Sequence, residues 1–210
     1  MKKGFYSGHQ QLAPFEDEHM LLGLVTKNRS YRRFKQEAPV SLETLKELVN
    51  LARLSASGAN RQPLKYFLSA TAEKNRAIFP CLAWAGYLKE WSGPKEGERP
   101  AAYIVILGDK SISDNFFCDH GIASQSILLG AAEKGLGGCI IANIQRDKLR
   151  AELEIPENMD ILLVIALGAP AEKVVLEDVG PSGDIKYYRD AQSVHHVPKR
   201  KLQDLIIGAG

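Results

Sequence analysis

Two uninterrupted apolar runs, residues 104–107 and 161–167, constrain this chain more than anything else in it. A strand with one wet face alternates apolar and polar residues, whereas a strand apolar at every position needs cover on both faces. Each run is therefore expected to be a central strand with helices above and below. Strands are expected in "KYFLSA" (65–70), "AAYIVILG" (101–108), "GGCIIAN" (137–143) and "DILLVIALG" (160–168), with a short last one in "GDIKYYRD" (183–190). The covering helices are also legible. In "SLETLKELVNLARLS", Leu42, Leu45, Leu48, Val49 and Ala52 share a helical face, Ser41 is placed to cap, and Glu43 suits the positive end of the macrodipole. A second helix runs through "CDHGIASQSILLGAAEK" (118–134). Its Gly121, Ala123, Ser124, Ser126, Gly130, Ala131 and Ala132 permit close packing, and Gly135 is expected to stop it. No repeat, linker or low-complexity tract divides the chain, so residues 1–210 are expected to form a single α+β domain, its sheet of mixed direction.

The charge balance removes several functions. With 27 basic and 25 acidic residues the net charge is +2, which leaves no broad field for a nucleic acid. No apolar run approaches the roughly 18 residues of a membrane span, and "MKKGFYSGHQ" lacks the apolar stretch of a signal peptide. Cys81, Cys118 and Cys139 are far apart and form no C-x-x-C, so they are expected to be buried, reduced thiols of a cytoplasmic protein. "GLGGC" (135–139) fails as a dinucleotide fingerprint, since Ile140 stands where the third glycine belongs and a helix precedes it where a strand should. Its glycines are expected to stop a helix. Neither a P-loop nor a nucleophile elbow occurs. His195 and His196, adjacent in an extended chain, would point to opposite sides, which argues against a metal site.

What basic character exists is local. "NRSYRRF" (28–34) holds Arg29, Arg32 and Arg33 beside Ser30, and on a helix the three guanidinium groups would share a face. Their planar forks suit phosphate oxygens, although a solvated helix end has the same composition. A second segment, "SASGANRQPLKYF" (55–67), follows the first helix and precedes a strand. Ser57, Gly58 and Ala59 let backbone approach a ligand closely, and Asn60 and Gln62 bring amides that both donate and accept. Trp84, Tyr87 and Trp91 form a roughly helical aromatic stripe before the loop "SGPKEGE" (92–98), suited to core packing or to a wall over a flat ligand.

Taken in order, four blocks resemble the nitroreductase family of flavoproteins. The family's R-S-x-R-x-F is matched by Arg29, Ser30, Arg32 and Phe34, and its S-x-x-N-x-Q-P-W by Ser57, Asn60, Gln62 and Pro63. "GLGGCIIANI" is similar to its loop beside the flavin, and "HVPKRKL" to its closing basic segment. Asn28 stands where many members carry a further arginine, Leu64 where tryptophan is frequent, and Ala142 where glycine is common.

The resemblance implies a mixed, mainly antiparallel sheet between helical layers, in an intertwined homodimer holding FMN at its interface. Arg29, Ser30 and Arg32 would contact the phosphate, ribityl chain or ring edge. Ser57, Gly58, Asn60 and Gln62 would line the cofactor from the partner subunit, Ile141, Ala142 and Asn143 would run along the isoalloxazine, and Lys199 and Arg200 would close on the phosphate. Trp84, Tyr87 and Trp91 are candidate walls of the substrate cavity. The implied activity is ping-pong hydride transfer from NADH or NADPH through flavin N5 to a nitroaromatic, quinone or similar acceptor. No catalytic side chain is expected, because such chemistry belongs to the cofactor. A flavin storage protein, an FMN enzyme of other chemistry such as reductive dehalogenation, and a helical interaction module are the competing readings.

Overall fold

Both apolar runs lie at the centre of a sheet in the computed structural model, which describes residues 20–208. The stretch read as lacking a leader falls outside the described residues. Strands β1 (Leu64–Ser69), β2 (Ala102–Asp109), β3 (Gly137–Ile141) and β4 (Met159–Gly168) are ordered β1-β2-β4-β3, every neighbour antiparallel. All eight residues of β2 are buried. The two faces explain the unbroken run. Tyr103, Val105 and Leu107 point into one cluster, with Phe34, Ile78, Cys139, Leu149, Leu153 and Val164. Ala102, Ile104 and Ile106 point into the other, with Leu45, Leu48, Ala123, Ile127, Ala131 and Leu167.

The first face is covered by α3 (Ala72–Ile78) and α5 (Arg146–Leu153), neither anticipated from the sequence. The second is covered by α2 (Leu42–Leu54) and α4 (Asp119–Glu133), both anticipated. Ser41 caps α2 by accepting the Thr44 N–H at 3.0 Å. Gly130 gives α4 its close approach, since a Cβ there would lie 2.2 Å from Leu51 Cδ1. Gly135, at φ +73°, ends the helix as expected.

A helix α1 (Met20–Lys27) precedes this core. Beyond it, β5 (Val174–Asp178), β6 (Tyr188–Arg189) and β7 (His195–Lys199) make a second sheet of order β5-β7-β6, parallel on one side of β7 and antiparallel on the other. Only β6 was anticipated. Pro198 argues against a central strand, because proline cannot donate to a ladder. It is tolerated because β6 pairs only with His195 and His196, leaving Pro198 no neighbour on that side.

Candidate functional site

The segment 28–34 is not helical. Helix α1 ends at Lys27, and Asn28 N–H donates back to Leu24 O at 2.8 Å. Ser30 then forms a parallel bridge with Gly138, and Tyr31 N–H donates to Gly138 O at 3.0 Å. Gly137 makes room for this, since a Cβ there would sit 2.5 Å from the Tyr31 ring, whereas one on Gly138 would sit 2.5 Å from Leu128 Cδ2 of α4. Gly137 thus seats the arginine segment on β3, Gly138 lets α4 pack closely, and Gly135 stops the helix. In this extended chain the expected common face of three arginines does not form. Arg32 turns to a cleft, and Arg33 pairs with Glu98 at 3.5 Å.

Glu172, which sequence reading missed, fixes that divergence. Its Oε1 accepts the backbone N–H groups of Arg32 and Arg33, and its Oε2 accepts from Arg189 Nη2 at 2.8 Å, with its side chain 1% exposed. A charge so buried survives only when it is fully hydrogen-bonded and paired.

The cleft, of about 310 Å³, is lined by Arg29, Ser30, Arg32 and Lys199, together with Asn28, Gln125, Tyr187 and His195. Three cations line it and, among the described residues, no carboxylate does. Arg29 Nη2 donates to Val25 O at 2.7 Å, while its Nε is buried without a partner among the described residues. Burial pulls the Arg29 pKa below its ordinary value. Arg32 lies 4.7 Å over the Tyr187 ring, and its Nη1 approaches Ser30 O at 3.2 Å and His195 Nε2 at 3.3 Å. Lys199 reaches the cleft from the end of β7, whereas Arg200 follows the strand, exposed, and does not line it.

Arg32, Ile140 and Tyr187 also border a slot of about 160 Å³ with both polar and apolar lining. Ile141, Ala142 and Asn143 form one wall, and Trp84, Ala85 and Gly86 stand on the other. The walls are tied by Ala83 N–H donating to Asn143 O at 3.0 Å, by the bridge Leu82 to Ile144, and by Gln145 N–H donating to Cys81 O at 2.8 Å. Cys139 lies within the wall, its thiol pKa pushed up by burial. The aromatic stripe is not a helix. Residues 84–91 form successive turns, with Ala85 at φ 42°, Leu88 N–H donating to Ala85 O and Trp91 N–H to Leu88 O. Only Trp84 borders the slot. Tyr87 packs on Tyr187, ring centroids 4.9 Å apart, and Trp91 lies under the Arg189 guanidinium at 4.3 Å. Cys118 is exposed, against expectation, while Cys81 and Cys139 are buried.

The segment 57–62 lies elsewhere. Ala59, Asn60 and Gln62 adopt φ values of 51°, 53° and 52°, a left-handed conformation that non-glycine residues seldom take. Asp119, at the start of α4 and 4% exposed, holds it. Its Oδ2 accepts from Ser57 Oγ at 2.6 Å and its Oδ1 from Gly58 N–H at 2.9 Å, and Ser57 Oγ accepts from Gln62 N–H at 2.9 Å. Ser57, Gln62, Tyr66 and Asp119 line a separate cavity of about 150 Å³, which Gly58 and Asn60 do not border. Burial, then the Asp119 charge, pushes the Tyr66 phenol up to about 12. Within one chain the structure therefore joins Arg29, Ser30, Arg32 and Lys199 to residues 141–143, and keeps Ser57 and Gln62 apart from them.

A cleft of cations without a carboxylate suits a phosphomonoester, which carries close to two negative charges at neutral pH. A slot with an apolar wall, one amide and one guanidinium suits a flat ring with polar edges. Helical layers on an antiparallel sheet, with such a cleft beside β3, define a class of proteins as well as a site. The family model described as "Nitroreductase family" matches residues 25–169, and the chain belongs to that family. A protein of Archaeoglobus fulgidus, provisionally named NADH dehydrogenase/NAD(P)H nitroreductase, is 26% identical over 160 residues, 72% of this chain and 86% of its own. The solved structure of an FMN-dependent nitroreductase from Clostridium difficile R20291 matches with a TM-score of 0.61 at 25% identity, covering 72% of this chain and 88% of that one. A nitroreductase family protein of Streptococcus pneumoniae TIGR4 shares the fold at 19% identity, with a TM-score of 0.62 over 80% of this chain and all of its own.

Proposed function

We propose that this protein is an FMN-dependent oxidoreductase that takes electrons from NADH or NADPH and passes them to a nitroaromatic, quinone or similar acceptor. The observation that carries the reading is the border shared at Arg32 by a slot and a cleft lined by three cations, with no carboxylate among the described residues. Arg29, Ser30 and Lys199 would hold the phosphate end, and Arg32, bordering both cleft and slot, would stand between it and the ring. Ile141, Ala142, Asn143 and Trp84 would flank the ring and exclude water from one side of it. Bound FMN supplies the hydride chemistry, so the chain needs no acid–base pair of its own. The FMN-dependent relative and the NAD(P)H-linked relative support the same assignment.

The working unit is proposed to be a homodimer. Ser57, Gly58, Asn60 and Gln62 do not meet the cleft within one chain, and a second subunit would bring them to it. Exposed apolar residues are available to join two copies, namely Leu21, Leu22 and Val25 on α1, Leu54 at the end of α2, and Leu202, Leu205, Ile206 and Ile207 near the C-terminus. No described helix is long and apolar enough to cross a membrane, and the cytoplasmic setting expected from the cysteines belongs to the same proposal. Two measurements on purified protein supplied with FMN test the function. A yellow holoprotein that oxidises NADPH only when a nitroaromatic is added supports it. Flavin binding without turnover would make it a storage protein, and a protein colourless after FMN addition would end the reading.

A further inference from the structure

Apart from bordering the cleft, His195 has no part in the assignment above, yet no side chain there is more tightly constrained. It sits in β7, the middle strand of its sheet, paired with Val174 on one side and Arg189 on the other. Its backbone N–H donates to Lys173 O at 2.8 Å, and the residue is 1% exposed. The ring lies 5.2 Å from that of Tyr187. Its Nε2 is 3.3 Å from Arg32 Nη1. A guanidinium offers donors only, so Nε2 carries the bare lone pair and Nδ1 the proton. A charged imidazole would set an N–H and a second positive charge against Arg32. Burial first, and the Arg32 charge second, bring the His195 pKa down to about 4, which keeps the ring neutral in the physiological range. Its Nδ1 is buried without a partner among the described residues. Buried polar atoms are seldom left so, and the ring holds its place at that cost.

We propose that His195 is a positioning residue, its Nε2 lone pair and the Tyr187 ring face together fixing the Arg32 guanidinium where cleft and slot meet. The inference rests on reading that junction as the FMN site. A free arginine side chain loses rotamer entropy when it is ordered. A guanidinium ordered in advance is spared that loss when the ligand's charge changes, and it favours whichever form of the ligand is more negative. Reduced FMN is the more negative form, so holding Arg32 in place should strengthen binding of reduced over oxidised FMN.

The test compares holoenzymes of the unaltered chain, H195Q, H195L and R32A by the ratio of their affinities for reduced and oxidised FMN. In H195L the ratio should fall about tenfold, the scale of one charge-assisted hydrogen bond after solvent competition, or about 30 mV for a two-electron couple. In H195Q, which keeps an acceptor oxygen, it should stay within about twofold, and in R32A it should fall at least as far as in H195L. An unchanged ratio in H195L beside a lowered one in R32A overturns the role of His195 alone. H195Q behaving as H195L does so too, since packing would then be the whole effect. An unchanged ratio and affinity in R32A would overturn the flavin assignment of that arginine and this inference with it. Nitrogen NMR of the unaltered holoenzyme stands even where H195L does not fold. The neutral Nδ1–H tautomer is expected at pH 7, and an Nε2–H or imidazolium signal would contradict the proposal.

Discussion

At the scale of single residues, two arginines three positions apart do different work from what their spacing suggests. Arg29 is anchored by the last turn of α1, whereas Arg32 is held by Ser30, Tyr187 and His195. Removing both in R29A/R32A should weaken FMN binding by several kcal/mol, at ~1.5–3 kcal/mol for each charge-assisted bond. Fluorescence titration measures this, and an unchanged affinity would remove them from the site. The residue types of "NRSYRRF" suggested a pocket for an anion, and Lys199 lines the same cleft as Arg29 and Arg32. Their geometry was not legible, because it depends on Gly137 making room far downstream and on Glu172 clamping the turn. Arg200, which the motif match carried to the phosphate, lies exposed beyond the end of β7 within the single chain.

At the scale of elements, the small β5-β7-β6 sheet decides where the basic C-terminal segment lies. Two polar devices hold it. The first is the pair Glu172 and Arg189, with side chains 1% and 12% exposed. Truncating one partner strands the other, so E172A should destabilise the fold by ~3–5 kcal/mol in chemical denaturation. A loss under ~1 kcal/mol would mean that solvent reaches the pair. The second is His196, whose Nδ1 and Nε2 each lie 3.0 Å from a carboxylate, Glu177 of β5 and Asp190 after β6, with Tyr188 stacked on the ring at 4.7 Å. Hydrogen bonds to Asp190 and then Glu177 raise its pKa. A raised histidine pKa gives stability that is full below the unfolded value of about 6.5 and is lost as pH climbs through the folded value. The same bond holds the Asp190 pKa down, so its contribution is lost in acid. Thermal melts should therefore fall as pH rises above neutrality, and H196N should flatten that slope. A slope unchanged in H196N would place its origin elsewhere. Neither β5 nor β7 was readable from local sequence, since short strands with charges and a proline carry little periodicity. The long elements were readable because burial on both faces writes itself into every position of β2 and into the regular stripe of α2.

For the whole molecule, the division of the expected cofactor residues between two regions of one chain is the feature on which the proposed second copy rests. The cleft borders α4 at Gln125 and Leu128, and the cavity of Ser57 and Gln62 borders it at Asp119 and Ala123. Positions 123 and 125 lie about 200° apart around the helix, so one flavin spanning both sets within one chain would have to pass around α4. A charge on the exposed apolar stripe of α1, as in L22D/V25D, should lower dimer affinity and FMN affinity together while far-UV circular dichroism stays unchanged. Sedimentation velocity with absorbance detection follows both at once, and a monomer that keeps its flavin would contradict the shared site.

The central claim is that cations of the cleft hold a phosphate. Comparing FMN with riboflavin, which lacks only that group, addresses it directly. Equilibrium titration of the unaltered apoprotein should give FMN an affinity at least about a hundredfold higher, equivalent to about 2.7 kcal/mol or one to two charge-assisted bonds, and the margin should shrink as salt is added. Equal affinities at low salt would contradict the account.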